Sequence, residues 1–460
     1  MKTSLLRPVA ILTSAVALSG CILDDIPLGA GYAAKYMCSG LWVSDMEEDR
    51  LKNEFIAPQV QPLSSIWRVD VNESDRTVSV RDIFFGSTYE KTAYYREGLG
   101  CTLTQDASLT SLDDQTPSSV YNESSDPFTA WPMGDAQIAS LHPAFDHNAL
   151  DSALDQAFAE DGEQVKNTLS VAVVYQGELI TERYADGITA DTRLLSWSMA
   201  KTLTAMGMGV LSDAGQLDIS RPAPVGVWQG TNKEVITLHH MLQMASGISW
   251  NEASQGEDAD QGYSLFQVSD MAAYYAEQPL EFAPGTHFQY STGQSNLLAR
   301  ISQEQVGGTL EDYYRFINDA LFQRIGIDNA VVEFDTVGHP VGGAYHYLTT
   351  RDWARIGLLL ERSGDWFGDQ VLSESWVNQM LSPSAANPSY GYQTWLNTGL
   401  VYWPELPEST YALRGFQGQM VMVIPDYELI IVRTGVTFGG DTAAGNTQLA
   451  LDIIDSFRPL

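Results

Sequence analysis

The segment from Leu195 to Met208 reads L-S-W-S-M-A-K-T-L-T-A-M-G-M and puts Ser198 three residues before Lys201. On a helix, residues three apart share a face. A serine hydroxyl becomes a nucleophile when a neighbouring base takes its proton, and a lysine amine can be that base once burial or another cation lowers its pKa. None of the other lysines, at positions 2, 35, 52, 91, 166 and 233, has a serine three residues before it. Lys201 also sits among Met199, Leu203, Met206 and Met208, poor company for a solvated charge. Ser198 has the chemistry of a helix start, where unpaired backbone N–H groups and the positive end of the helix dipole favour a developing oxyanion.

Two further stretches carry compatible chemistry. Tyr290 lies in the turn-rich run Pro284 to Gly293, from which a tyrosine hydroxyl can exchange protons with serine, lysine or a leaving group; Thr292 follows it. Arg414-Gly-Phe-Gln417-Gly418-Gln419 leads into the apolar run Met420 to Ile424, and its glycines let a backbone edge approach a substrate and offer an N–H as an oxyanion donor. His142, His147, His239, His240, His287, His339 and His346 show no H-E-x-x-H spacing, so no metal site and no cofactor is expected. There is no G-x-S-x-G elbow of the α/β-hydrolase kind.

The elements that must position these residues are legible from their periodicity. Leu169 to Tyr175 and Leu179 to Tyr184 read as two strands joined at Gln176-Gly177-Glu178. Leu194 to Leu211 reads as the Ser198 helix, ended by Asp213-Ala-Gly215, and Ile236 to Ala245 as another, followed by a loop with several acids from Asn251 to Asp260. Thr309 to Phe322, Thr350 to Ser363 and Ser373 to Met380 have amphipathic spacing. Met420 to Ile424 and Leu429 to Val432 return to strand before a last helix from about Asn446 to Phe457. Strands at both ends of a helical middle imply an α/β (α+β) fold: an antiparallel sheet built from both ends, flanked by helices and a helical subdomain.

Upstream, residues 21–103 form a small β-rich unit, with strand alternation at Ile66 to Val71 and Thr77 to Val80. Residues 104–135, rich in Ser, Thr, Asp and Pro, read as a linker or surface-wrapping segment, and the main domain is 136–460. With 460 residues, 44% of them hydrophobic, a buried core is assured. The formal charge of −33 argues against nucleic acid or anionic lipid as a direct partner.

Lys2 and Arg7 precede an apolar run from Val9 to Leu18, too short for a comfortable membrane span, and then Leu18-Ser-Gly-Cys21. This resembles a bacterial lipoprotein signal peptide of residues 1–20, which implies cleavage before Cys21, a lipid anchor on that cysteine as the only membrane contact, and a place in the cell envelope. Setting Cys21 aside leaves Cys38 and Cys101 as one possible pair in an oxidising compartment, and a disulfide between them is expected.

Ser198-x-x-Lys201, Tyr290-Ser-Thr292 and the C-terminal strands together resemble the serine β-lactamase and penicillin-binding protein superfamily, in particular the branch with class C-like esterases and 6-aminohexanoate-dimer hydrolases. The resemblance covers about 160–460 and includes the framework runs Ile236 to Gly247 and Thr349 to Gly357. It implies Ser198 as nucleophile, Lys201 as its base partner, Tyr290 as the tyrosine of a Y-x-N element, and a small amide or ester as substrate. The alternative within the superfamily is a β-lactamase or DD-peptidase, or a penicillin-binding lipoprotein that acylates without turnover. Two positions depart from the pattern: Thr292 stands where many members have asparagine, and Phe416-Gln417-Gly418 stands in the context of K-T-G. By this match Thr292, Arg414, Gln417, Gly418 and Gln419 would meet substrate or oxyanion. A neutral Gln417 in place of the lysine predicts a preference for neutral esters or amides over β-lactams.

Overall fold

The computed structural model describes residues 20–458 apart from 62, 84–85, 122–127, 137–141, 161–164 and 254–258. The residues before Gly20, read above as resembling a signal peptide, lie outside the described residues, and the expected cleavage point, Gly20/Cys21, falls at the first two residues of a helix.

That helix, α1 (Gly20–Trp42), was not legible as one. It is followed by a four-stranded antiparallel meander, β1 (Trp67–Asn72), β2 (Thr77–Asp82), β3 (Gly86–Arg96) and β4 (Gly100–Leu103), which contains the two expected strands. Ala30, Ala33, Ala34 and Met37 of α1 are fully or almost fully buried, because the helix is covered on several sides by β2 and β3, by Phe266 and by the Trp197 turn. A helix buried all round has no polar face to give it a 3.6-residue rhythm. Cys38 of α1 is joined to Cys101 of β4 with Cα atoms 6.1 Å apart, closing a loop of 63 residues.

From there the chain runs through α2 (His147–Phe158), β5 (Thr168–Tyr175), β6 (Glu178–Tyr184), α3 (Ala200–Asp213), α4 (Thr292–Val306), α5 (Thr350–Glu361), β7 (Trp395–Leu396), β8 (Tyr411–Gly415), β9 (Gln419–Ile424), β10 (Leu429–Gly435) and α6 (Asn446–Asp455), with shorter helical turns between them. The six strands form one antiparallel sheet in the order β7-β8-β9-β10-β5-β6. Its N- and C-terminal strands meet where Ile431 faces Val173. Strand alternation sends Val171 and Val173 towards α2 and α6, and Ala172 and Val174 towards the core that contains α5. Gly357 lets α5 close on the sheet: a Cβ there would lie 2.9 Å from both Ile430 and Val421.

The first unit shares its core with the main domain. Leu169, Leu194, Trp197, Tyr345 and Val436 pack in the same cluster as α1 and β2. Residues after β4 wrap the surface: Trp131 donates to the Arg351 carbonyl, and Arg355 donates to the carbonyls of Pro132 and Gly134. The stretch at 104–135 is therefore fastened to α5 along part of its length.

One boundary differs instructively. The Ser198 helix was expected from Leu194, but Leu194–Leu195 pairs as a short strand with His346–Leu348, and regular helix starts only at Ala200. Between them Trp197 has φ +47°, the left-handed region, which a right-handed helix cannot contain and which a bulky residue rarely adopts.

Candidate active site

Ser198 sits in the tight turn Trp197–Met199 that feeds α3, and Lys201 is one turn on with 1% of its side chain exposed. Lys201 Nζ is 2.9 Å from Ser198 Oγ, 2.9 Å from Thr292 Oγ1 and 2.8 Å from the Gly343 carbonyl. Burial lowers its pKa to about 8, and the Glu252 carboxylate 3.9 Å away pulls the other way.

The proton inventory around this nitrogen is informative. The Gly343 oxygen can only accept. Thr292 donates its hydroxyl proton to Glu252 Oε1 at 2.5 Å, so towards Lys201 it also accepts. A neutral amine therefore spends its two hydrogens on these oxygens and turns its lone pair to the Ser198 hydroxyl. Glu252 is fixed in turn by the Thr292 backbone N–H and the Trp250 indole N–H, at 2.8 and 2.6 Å. Sequence reasoning noted the acids of this loop but did not single out Glu252, since nothing local ties position 252 to position 292.

Tyr290 brings its ring to 4.9 Å from Lys201 Nζ, on a wall shared with Tyr390 and Trp395. Burial and the Glu252 charge push its hydroxyl well above the usual phenol range, while a hydrogen bond to Ser198 and the Arg414 charge oppose that shift. Arg414, near the end of β8, lies with its guanidinium 5.0 Å from the ring centres of Trp395 and Tyr402.

Four of the expected substrate contacts are placed differently. Thr292 is fully buried and its hydroxyl is committed to Lys201 and Glu252, a placement that orients the lysine. Gln417 is 1% exposed, with its carbonyl oxygen accepting from Tyr36 and Trp197. The carbonyl of Gly418 accepts from Arg433, and a Cβ on Gly418 would lie 2.4 Å from that guanidinium. The Gln419 carboxamide is bonded to both backbone groups of Gly435. These three side chains and carbonyls are thus committed to contacts within the fold, at a turn where Gln417 is left-handed, φ +63°. The point of approach is Gly415 instead: a Cβ there would sit 2.3 Å from the Ser196 carbonyl, so the end of β8 lies backbone to backbone against the Ser198 turn. Trp197, unremarked in the sequence, is the other half of that brace. Among the described residues no cluster of His, Cys, Asp and Glu could hold a metal ion.

Residues 154–453 match the Beta-lactamase protein family, and the chain belongs to it. It is 28% identical over 222 residues to the 6-aminohexanoate-dimer hydrolase of Paenarthrobacter ureafaciens, a match over 46% of this chain and 56% of that one. It is also 28% identical over 181 residues to the esterase EstB of Burkholderia gladioli, over 33% of this chain and 46% of the other. The chain thus spans about half the length of each of these two relatives. The fold resembles that of a penicillin-binding protein from Bacillus halodurans, with TM-score 0.51, 18% identity, and 66% of this chain and 99% of that one covered.

Proposed function

We propose that this protein hydrolyses ester or amide bonds of small substrates through an acyl-enzyme on Ser198. The observation that carries the reading is the Lys201 amine, buried, 2.9 Å from Ser198 Oγ, with its other two partners both acceptors. In this scheme Nζ takes the Ser198 proton as Oγ attacks the carbonyl carbon. Backbone N–H groups of the Ser198 turn and the adjoining end of β8 hold the oxyanion. Tyr290, kept protonated by its raised pKa, gives its proton to the leaving alcohol or amine and recovers one from the lysine ammonium. Water, deprotonated by the same groups, then attacks the acyl ester and releases the acid and free Ser198. The activities of the two relatives, hydrolysis of 6-aminohexanoate dimer and esterase action, support this class of substrate.

Because the neutral amine is the base, kcat/KM for p-nitrophenyl butyrate is expected to rise with pH through about 8, where Lys201 loses its proton. Glu252→Gln removes a charge that favours the ammonium, so the rise should move to lower pH. A rise that stays put or moves upward in that variant contradicts the assignment.

With the Gln417 side chain committed within the fold, the argument for neutral substrates loses its footing. Arg414 supplies a cation on the pocket wall, and a charge-assisted hydrogen bond is worth about 1.5–3 kcal/mol. Arg414→Ala should therefore cost substrates with a carboxylate near the scissile bond roughly ten- to a hundredfold in kcat/KM, and p-nitrophenyl butyrate little. Equal losses for both substrates would remove Arg414 from substrate recognition.

A further inference from the structure

The two backbone segments that meet at the proposed acyl site are both held in left-handed conformation, Trp197 at φ +47° and Gln417 at φ +63°. For side chains with a Cβ such conformations are held only where surrounding contacts enforce them, and they gather at functional sites. Here the two are tied to each other, since the Trp197 indole N–H donates to Gln417 Oε1 at 2.9 Å. The second lone pair of that oxygen accepts from the Tyr36 hydroxyl of α1 at 2.8 Å, across 381 positions of sequence. Tyr36 and Tyr32 also pack their rings within 6.5 Å of the Trp197 ring. Further along the strand side, the Gln417 carbonyl accepts from the Thr437 N–H at 3.1 Å. Ser198 follows Trp197 directly, and Gly415, which abuts the Ser196 carbonyl, comes two residues before Gln417.

We propose that α1 is a working part of the acyl-transfer site, with Tyr36 a positioning residue that acts through Gln417. Its hydroxyl locks the nucleophile turn to the end of β8. The proposal rests on Ser198 being the nucleophile. Its chemistry is preorganisation: the oxyanion donors and Oγ have to be held in productive geometry before the tetrahedral intermediate forms, and both lie on backbone that this link fixes. For a neutral ester, substrate binding relies on the aromatic wall of Tyr290 and Trp395, which Tyr36 does not touch among the described contacts. The loss should therefore appear in kcat and hardly in KM.

α1 is fastened independently of that hydroxyl, by the Cys38–Cys101 bond and by Lys35 buried against Glu333, so deleting one oxygen should leave the helix in place. The test uses the full chain with three variants, Tyr36→Phe, Gln417→Gly and the double variant, and Tyr32→Phe for comparison. Gln417→Gly keeps a residue at ease at positive φ while removing the carboxamide. Each is assayed with p-nitrophenyl butyrate, and rates are expressed per site titrated by a fluorophosphonate, so that unfolded protein does not count. Tyr36→Phe is expected to lower kcat about tenfold, the change one lost hydrogen bond commonly brings, with KM within about twofold and the thermal midpoint nearly unchanged. Gln417→Gly should cost at least as much, and the double variant no more than Gln417→Gly alone, because both act through one link. Tyr32→Phe, whose contact to Gln417 is long at 3.5 Å, should cost less. Full kcat per titrated site in Tyr36→Phe overturns the proposal, as does a loss in the double variant equal to the product of the single losses. Failure of the underlying reading looks different: turnover would persist in Ser198→Ala.

Discussion

Ser198→Ala is expected to lower kcat/KM for p-nitrophenyl butyrate by at least about 10⁴-fold while leaving the thermal midpoint nearly unchanged. Loss of a covalent nucleophile removes the step that everything else in the site assists, and losses of that order are typical when one member of such a unit is deleted. The fold has little stake in the hydroxyl. Ser198 is only half-buried, and α3 begins beyond it without using it as a cap. Lys201→Ala should come close to the same loss, and the double variant should be no worse than the single ones, since serine and lysine act on one proton. Retention of even a tenth of the activity in Ser198→Ala would mean that another group does the chemistry.

The second large effect concerns stability. Lys35 of α1 and Glu333 of the main domain form a fully buried ion pair. Glu333 Oε1 also accepts from Ser39 and from the Cys101 backbone N–H at 2.7 Å each, and Lys35 Nζ lies 4.3 Å from the centre of the Tyr345 ring. Burial alone lowers the lysine's pKa and raises the glutamate's, and the partners oppose this in each other. Replacing both with apolar side chains could be neutral, but removing one strands the other charge in the core at a cost of about 3–5 kcal/mol. Glu333→Ala should thus lower the urea midpoint sharply, with α1 loosened from the main domain. The sign of the pH dependence follows. In that variant the folded lysine has a pKa below its unfolded value near 10.4, so the unfolded chain binds more protons and stability rises with pH across that interval. The deficit against the unaltered protein should narrow as the pH rises towards the unfolded lysine's value near 10.4. A midpoint that does not fall would show that the pair contributes nothing to holding α1.

What the sequence disclosed and what it withheld divide along a physical line. The strands β5, β6, β9 and β10 and helix α5 were legible because each is a local periodic pattern with turn or cap residues at its ends. The Ser198 and Lys201 pair was legible because its chemistry is unusual and its spacing short, Tyr290 was legible through the family resemblance of Tyr290-Ser-Thr292, and the structure brings all three together. What the sequence did not disclose was long-range. Gln417 looked like a stand-in for a motif lysine because nothing local shows that it is left-handed and bonded to Tyr36, and Thr292 looked like a substrate contact because Glu252 is remote in sequence. Helix α1 escaped notice for a related reason, since it is buried on several sides by segments scattered along the chain, and its own residues carry no amphipathic rhythm.

The claim that an acyl group is carried on Ser198 is tested most directly by quenching the protein in acid during turnover of p-nitrophenyl butyrate and measuring first its intact mass and then that of its peptides. The account predicts a gain of one butyryl group, about 70 Da, as follows from ester formation with loss of water. It should map to the peptide that contains Ser198, appear within the first turnover and be absent from Ser198→Ala. Rapid turnover with no added mass on that peptide, or an added mass that persists in Ser198→Ala, would contradict it.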